Sequence, residues 1–163
     1  MMEEIKDIYE NGSDEEREIL ELTLSAIRQR RERGSSYVSA FLGLSGQFVD
    51  EDTYQFIVPI TKYMDNNLGM VHGGITATLI DCTMGSLINR QLPPDLVAVT
   101  TDLQTRYLRP ARGKHVRSEA SFIQRGRKIV VIEGRVYDDR DNLVAHGTGT
   151  FMLVPRPTRA LNK

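Results

Sequence analysis

The sequence predicts an α+β domain in which an antiparallel sheet wraps around one central helix. Three observations predict it. One short strand-like run, residues 53–60, precedes a single long helical segment, residues 74–91. Four long runs rich in β-branched and aromatic residues follow, at 97–109, 114–125, 128–138 and 143–154, with turn residues between them. The helical segment is apolar on nearly every side, so it belongs inside the fold and not on its surface. That order of elements is the pattern of an α+β protein.

Each element has its own signal. Residues 3–33 read as helical, interrupted near Asn11-Gly12: Ser13 and Glu16 form a capping box, and Ile19, Leu22 and Ala26, with Leu20, Leu24 and Ile27, supply an apolar stripe. Arg28, Arg30, Arg31 and Arg33 close that helix before Gly34, where cations favour the negative end of the helix dipole. As a charge run they read as a solvated helix end; a phosphate-binding patch is the alternative. Residues 37–49 are apolar and punctuated by glycine, and Pro59 ends the first strand. Pro93-Pro94, Arg112-Gly113, Gly126 and Asp141-Asn142 mark the later turns, so consecutive pairing into a meander is the economical topology. These signals divide the chain into a helical extension, 1–35, a main domain, 36–155, and a tail, 156–163. The extension is expected to serve stability or assembly more than chemistry.

Composition narrows the function. The 163 residues carry a net charge of -1, so no overall field recruits nucleic acid or an anionic membrane. The acidic start is neither a signal nor a transit peptide, and Asp81 with three glycines spoils the stretch 71–89 as a membrane span. A cytoplasmic protein is expected. Cys82 is the one cysteine, which excludes an intrachain disulfide and a cysteine zinc site. His72, His115 and His146 are dispersed, and no H-E-x-x-H, P-loop or G-x-G-x-x-G occurs. Gly43-Leu44-Ser45-Gly46 falls one residue short of a serine-hydrolase elbow. Cys82 reads as a small core residue, not a nucleophile.

Two features remain. Asp81 is the sole carboxylate between His72 and Arg90, and a buried carboxylate is costly unless it is paired or used. Thr78, Asp81 and Gly85 share one stripe of the helix. The run Asn66-Asn67-Leu68-Gly69-Met70-Val71-His72-Gly73-Gly74 leads into that helix, and unpaired first-turn N–H groups there could receive a developing oxyanion. A tight loop that needs glycine for packing is the other reading.

Together these residues resemble the PaaI-like branch of the hotdog-fold acyl-CoA thioesterases. The resemblance covers about residues 36–154. It rests on Asn66, His72-Gly73-Gly74, Asp81, Val99-Thr100-Thr101-Asp102, Tyr107-Leu108-Arg109-Pro110 and Gly147-Thr148-Gly149-Thr150-Phe151. It implies a hotdog fold and hydrolysis of an acyl or aryl-acyl CoA thioester. The implied roles are Asp81 as general base or nucleophile, Gly73 as backbone donor to the thioester carbonyl, and His72 as support for the loop and the thioester. Asn66 would hold water or carbonyl, and Thr100 would orient the carboxylate or the water. The site would be shared between copies of a dimer or dimer of dimers. No metal or cofactor is implied, since CoA belongs to the substrate. Gly74 and the basic turn Arg125, Gly126, Arg127 and Lys128 are the substrate-binding candidates, with Arg109, Arg112 and Lys114 as a second cluster for the CoA phosphates. A hotdog hydratase or dehydratase and a non-catalytic acyl-CoA sensor are the competing readings.

Overall fold

The computed structural model describes residues 1–157; residues 158–163, most of the expected tail, lie outside the described residues. Two helices open the chain, α1 (Met2–Asn11) and α2 (Asp14–Arg33). They break at Gly12, and α2 restarts on the capping box, with Ser13 Oγ accepting from the Glu16 amide and Glu16 returning a bond to the Ser13 amide. Short helix α3 (Tyr37–Phe41) and strand β1 (Gly46–Phe48) follow, then β2 (Thr53–Pro59). Helix α4 (Gly73–Asn89) leads to β3 (Leu96–Tyr107), β4 (His115–Arg125), β5 (Ile129–Tyr137) and β6 (Leu143–Pro155).

The six strands form one antiparallel sheet in the order β1-β2-β4-β5-β6-β3. The expected meander holds only for β4, β5 and β6. β3 pairs with β6, so it stands at the edge, three strand spacings from the strand that follows it in sequence. The physical reason lies in residues 108–114. Three spacings are about 14 Å, and seven extended residues reach about 23 Å, enough to cross the end of the sheet where a tight hairpin could not. Leu108 and Arg109 both donate their amides to Val144 O as the chain makes that crossing.

Helix α4 lies against the inner face of the sheet. It buries Thr76, Leu79, Ile80, Thr83, Met84, Leu87 and Ile88, packed over Val130, Ile132, Val136 and Phe151. The sheet makes room for it with glycine. A Cβ on Gly147 would stand 2.8 Å from Gln104 O and 3.1 Å from Ile80, and one on Gly149 would stand 2.8 Å from the Met84 sulfur. One buried polar contact fixes the helix rotation: Thr83 Oγ1 meets Ser118 Oγ of β4 at 2.7 Å and also bonds Leu79 O. With both hydroxyls satisfied, that contact costs nothing in stranded polarity. A helix apolar all round was expected to be wholly enclosed, but its Thr78–Asp81–Gly85 side is only half-buried. No helix among the described residues is long and apolar enough to cross a membrane.

Filling one of the glycine notches tests this packing. Gly147→Val should destabilise the fold by about 1–3 kcal/mol, the usual cost of overpacking, seen as a lower urea midpoint at unchanged slope. An unchanged midpoint would mean that α4 does not press on the sheet there.

Candidate active site

The loop before α4 is a set of tight bonds centred on Asn66. The Asn66 side-chain oxygen accepts from the Leu68 amide at 2.8 Å and the Met70 amide at 3.4 Å, while its backbone closes on Gly69 and Met70. Two N–H donors at one atom fix the amide orientation and leave Nδ2 facing outward. Asn66 can therefore donate to a carbonyl, but its oxygen is spent. That leaves Asn66 as a donor, to a water oxygen as readily as to a carbonyl.

His72 is the N-cap of α4. Its Nδ1 accepts from the Gly74 amide at 2.9 Å, so the expected contribution of Gly74 is already committed inside the loop. The Gly73 N–H has no acceptor among the described residues. It is the orphan donor at the positive end of the helix. Tyr107, at the far end of β3, bonds the Gly73 carbonyl through its hydroxyl at 2.9 Å and lays its ring 3.4 Å from the place a Gly73 Cβ would occupy. Sequence reasoning had no role for Tyr107 here, because only the folded register brings the end of β3 to the start of α4. Asn66, Gly73 and Tyr107 share a cleft of about 350 Å³ with Arg109 and Pro110.

Asp81 stands elsewhere. It occupies a second cleft, of about 750 Å³, with Thr100, Gly85 and Asn89. Thr100 donates its hydroxyl to Asp81 Oδ1 at 2.8 Å, joining the edge strand to the helix. A bulge between Thr100 and Asp102 makes that bond possible. Thr100 pairs with inward-facing Phe151, whereas Asp102 pairs with Thr150, so the extra residue turns Thr100 toward the helix and Asp102 away from it. Thr101, the inserted residue, is tied off to Thr150 O at 3.0 Å.

The end of the N-terminal extension reaches this second cleft. Gly34 and Ser39 line it, at a corner that Arg30 holds by bonding Gly34 O and Ser35 O. Cys82 also lines it, but burial first and the neighbouring Asp81 charge second push its thiol up to about 11. The basic turn expected to bind substrate fares differently. Arg125 forms an ion pair with Asp52 and lies 3.7 Å over the Phe122 ring, and Gly126 bonds Ile129 O. Arg127 and Lys128 are exposed and line neither cleft.

The five residues expected to carry chemistry thus fall into two groups. Asn66, His72 and Gly73 stand at the start of α4, and Asp81 and Thr100 stand two turns on. Among the described residues there is no cluster suited to a metal ion. With its thiol held protonated far above neutral pH, Cys82 should react with iodoacetamide at pH 8 more slowly than a free model thiol. Cys82→Ala should keep its turnover; loss of turnover would give the thiol a role that the geometry does not.

Comparison with known proteins agrees with this architecture. Residues 68–145 match the model of the thioesterase superfamily. A protein bearing an esterase name from Halobacterium salinarum is 35% identical over 125 residues, which span 70% of this chain and 82% of that one. A Bacillus halodurans protein solved with CoA superposes with a TM-score of 0.83 at 34% identity, over 91% of this chain and 99% of that one. A phenylacetic acid degradation-related protein of Ralstonia eutropha superposes at 0.69 with 27% identity, over 78% and 98% of the two chains. The fold, the match of the central segment and the extent of these similarities agree: the chain is a hotdog-fold hydrolase and belongs to the thioesterase superfamily.

Proposed function

We propose that this thioesterase hydrolyses acyl or aryl-acyl thioesters of CoA, in a site that two copies of the chain complete together. The observation that carries the proposal is the separation of the two half-sites. Gly73 and Asp81 lie eight residues apart on one helix, which is about 12 Å along its axis. A reacting carbonyl must lie about 3 Å from both its donor and its base. A single copy cannot offer that. The edge strand β3 can join two copies, because its outer side has no partner strand within the chain. Pairing β3 antiparallel with its own copy sets the Thr100 end beside the other copy's Tyr107 end, and so Asp81 beside Gly73. Such pairing also removes an exposed strand edge.

In this arrangement the Gly73 N–H and Asn66 Nδ2 of one copy hold the thioester oxygen. Asp81 of the other copy, steadied by Thr100, takes a proton from water or attacks the carbonyl carbon itself. In the first route water adds to the carbonyl carbon and the C–S bond breaks to give the acid. In the second the C–S bond breaks to give a mixed anhydride with Asp81, which water then hydrolyses to the acid. In both the CoA sulfur leaves and is protonated. His72 maintains the loop that aims Gly73. A thioester is already activated, so one amide donor at about 3 kcal/mol and a base worth about 10²–10⁴-fold carry the reaction. CoA fits the likeness to the Bacillus halodurans protein, whose structure holds it. A dimer or dimer of dimers in the cytoplasm is the corresponding assembly and setting.

Asp81→Asn keeps shape and removes the base. Turnover of a range of acyl-CoA esters should fall by about 10²-fold or more, with melting temperature and CoA affinity nearly unchanged. Thr100→Val should cost less, about tenfold, because it removes one hydrogen bond to the carboxylate. A folded Asp81→Asn protein with near-normal turnover would contradict the proposed role and favour another base.

A further inference from the structure

The Asp81 cleft continues past the carboxylate toward the end of α4, where its lining changes. Arg90, the C-cap of α4, and Arg156, just beyond β6, both line it. Neither makes an ion pair among the described residues, unlike Arg125, Arg117 and Arg135. Arg156 is held in place by two carbonyls, donating from Nε to Pro94 O at 2.8 Å and from Nη2 to Leu96 O at 2.9 Å. Arg90 carries its guanidinium 5.1 Å above the Tyr54 ring. The rest of the wall mixes small or polar residues, Ser39, Gly85, Ser86 and Asn89, with apolar Ala98 and Phe151.

We infer that Arg90 and Arg156 form an anion site for the substrate at the far end of the Asp81 cleft. The inference rests on the catalytic reading above, which puts the thioester carbon at Asp81. Arg90 follows Asp81 by nine residues, roughly 13 Å along the helix. A substrate reacting at Asp81 therefore reaches the arginines with a group some way down one of its two arms. The Arg156 guanidinium, already fixed by carbonyls, keeps N–H donors in a fork that suits phosphate or carboxylate. The Arg90 guanidinium has all its N–H groups free of protein acceptors among the described residues. Two positions for the anion fit: a phosphate of the CoA nucleotide, or a carboxylate on the acyl arm. The basic turn is less suited: Arg125 is neutralised by Asp52, and Arg127 and Lys128 line neither cleft.

Calorimetric titration with uncleavable thioethers tests the site without depending on hydrolysis. The probes are S-hexyl-CoA, S-hexyl-pantetheine, which carries no anion, and S-(5-carboxypentyl)-pantetheine, whose anion is on the alkyl arm alone. Arg90→Met should weaken binding of an anionic probe by about tenfold or more and leave S-hexyl-pantetheine unchanged. Arg90→Lys should recover part of the loss, and Arg156→Met should repeat the pattern. A loss confined to S-hexyl-CoA places the phosphate there; a loss confined to the carboxypentyl probe places the acyl carboxylate. Equal weakening of the neutral probe, no weakening of any probe, or no binding by the wild type overturns the anion site. Hydrolysis of hexanoyl-CoA by the same wild-type preparation reports separately on the catalytic reading.

Discussion

An α-helix rises about 1.5 Å per residue and does not bend to suit a substrate. In this chain that rule holds the free Gly73 amide and the Asp81 carboxylate about 12 Å apart on α4. In the proposed mechanism both act on one thioester carbonyl, and at that separation they cannot do so from a single copy. Much of the fold can be understood as keeping that helix straight and keeping each end of it open on a different cleft. Asn66, Gly73 and Tyr107 border one cleft, and Asp81 and Thr100 the other.

The sheet supplies the support. Its glycines at 147 and 149 let Ile80 and Met84 descend onto the strands, and the Thr83–Ser118 contact sets which side of α4 turns inward. What turns outward is then determined: the small residues of the Thr78–Asp81–Gly85 stripe. β3 contributes at its bulge and at its last residue. Its bulge directs Thr100 onto Asp81, and its last residue, Tyr107, braces the Gly73 carbonyl. One edge strand thus ties together both halves of the proposed site, and its outer side has no partner strand within the chain.

Local chemistry was readable in the sequence. The Ser13–Glu16 box restarts α2 as expected, and α4 begins within one residue of its predicted start. The spacing from Asn66 to Asp81 was also legible, because loop and helix are continuous in the chain. Long-range pairing was not. The place of β3 beside β6 depends on a loop crossing the end of the sheet, and a turn-based reading favours neighbours in sequence. Arg125 looked free for a phosphate because its partner, Asp52, stands 73 residues earlier. Asn66 was expected to hold water or the carbonyl; the fold commits its side-chain oxygen to the Leu68 and Met70 amides, a contact set by the loop's own conformation. Arg156 carried no signal, since a cation after a final strand resembles any solvated tail.

The proposed shared site is most directly tested by mixing two inactive chains. Asp81→Asn removes the proposed base. Gly73→Pro removes the amide proton at the first helical position, where proline is well tolerated. Each variant alone should be inactive. If each site takes Asp81 from one copy and Gly73 from the other, a mixed dimer holds one intact site and one doubly damaged site. Co-refolding equal amounts should then restore about a quarter of wild-type turnover, since half of the dimers are mixed and each of those has one working site of two. If Asp81 and Gly73 of the same chain worked together, every site in the mixture would be broken, and activity would stay at the level of the separate variants.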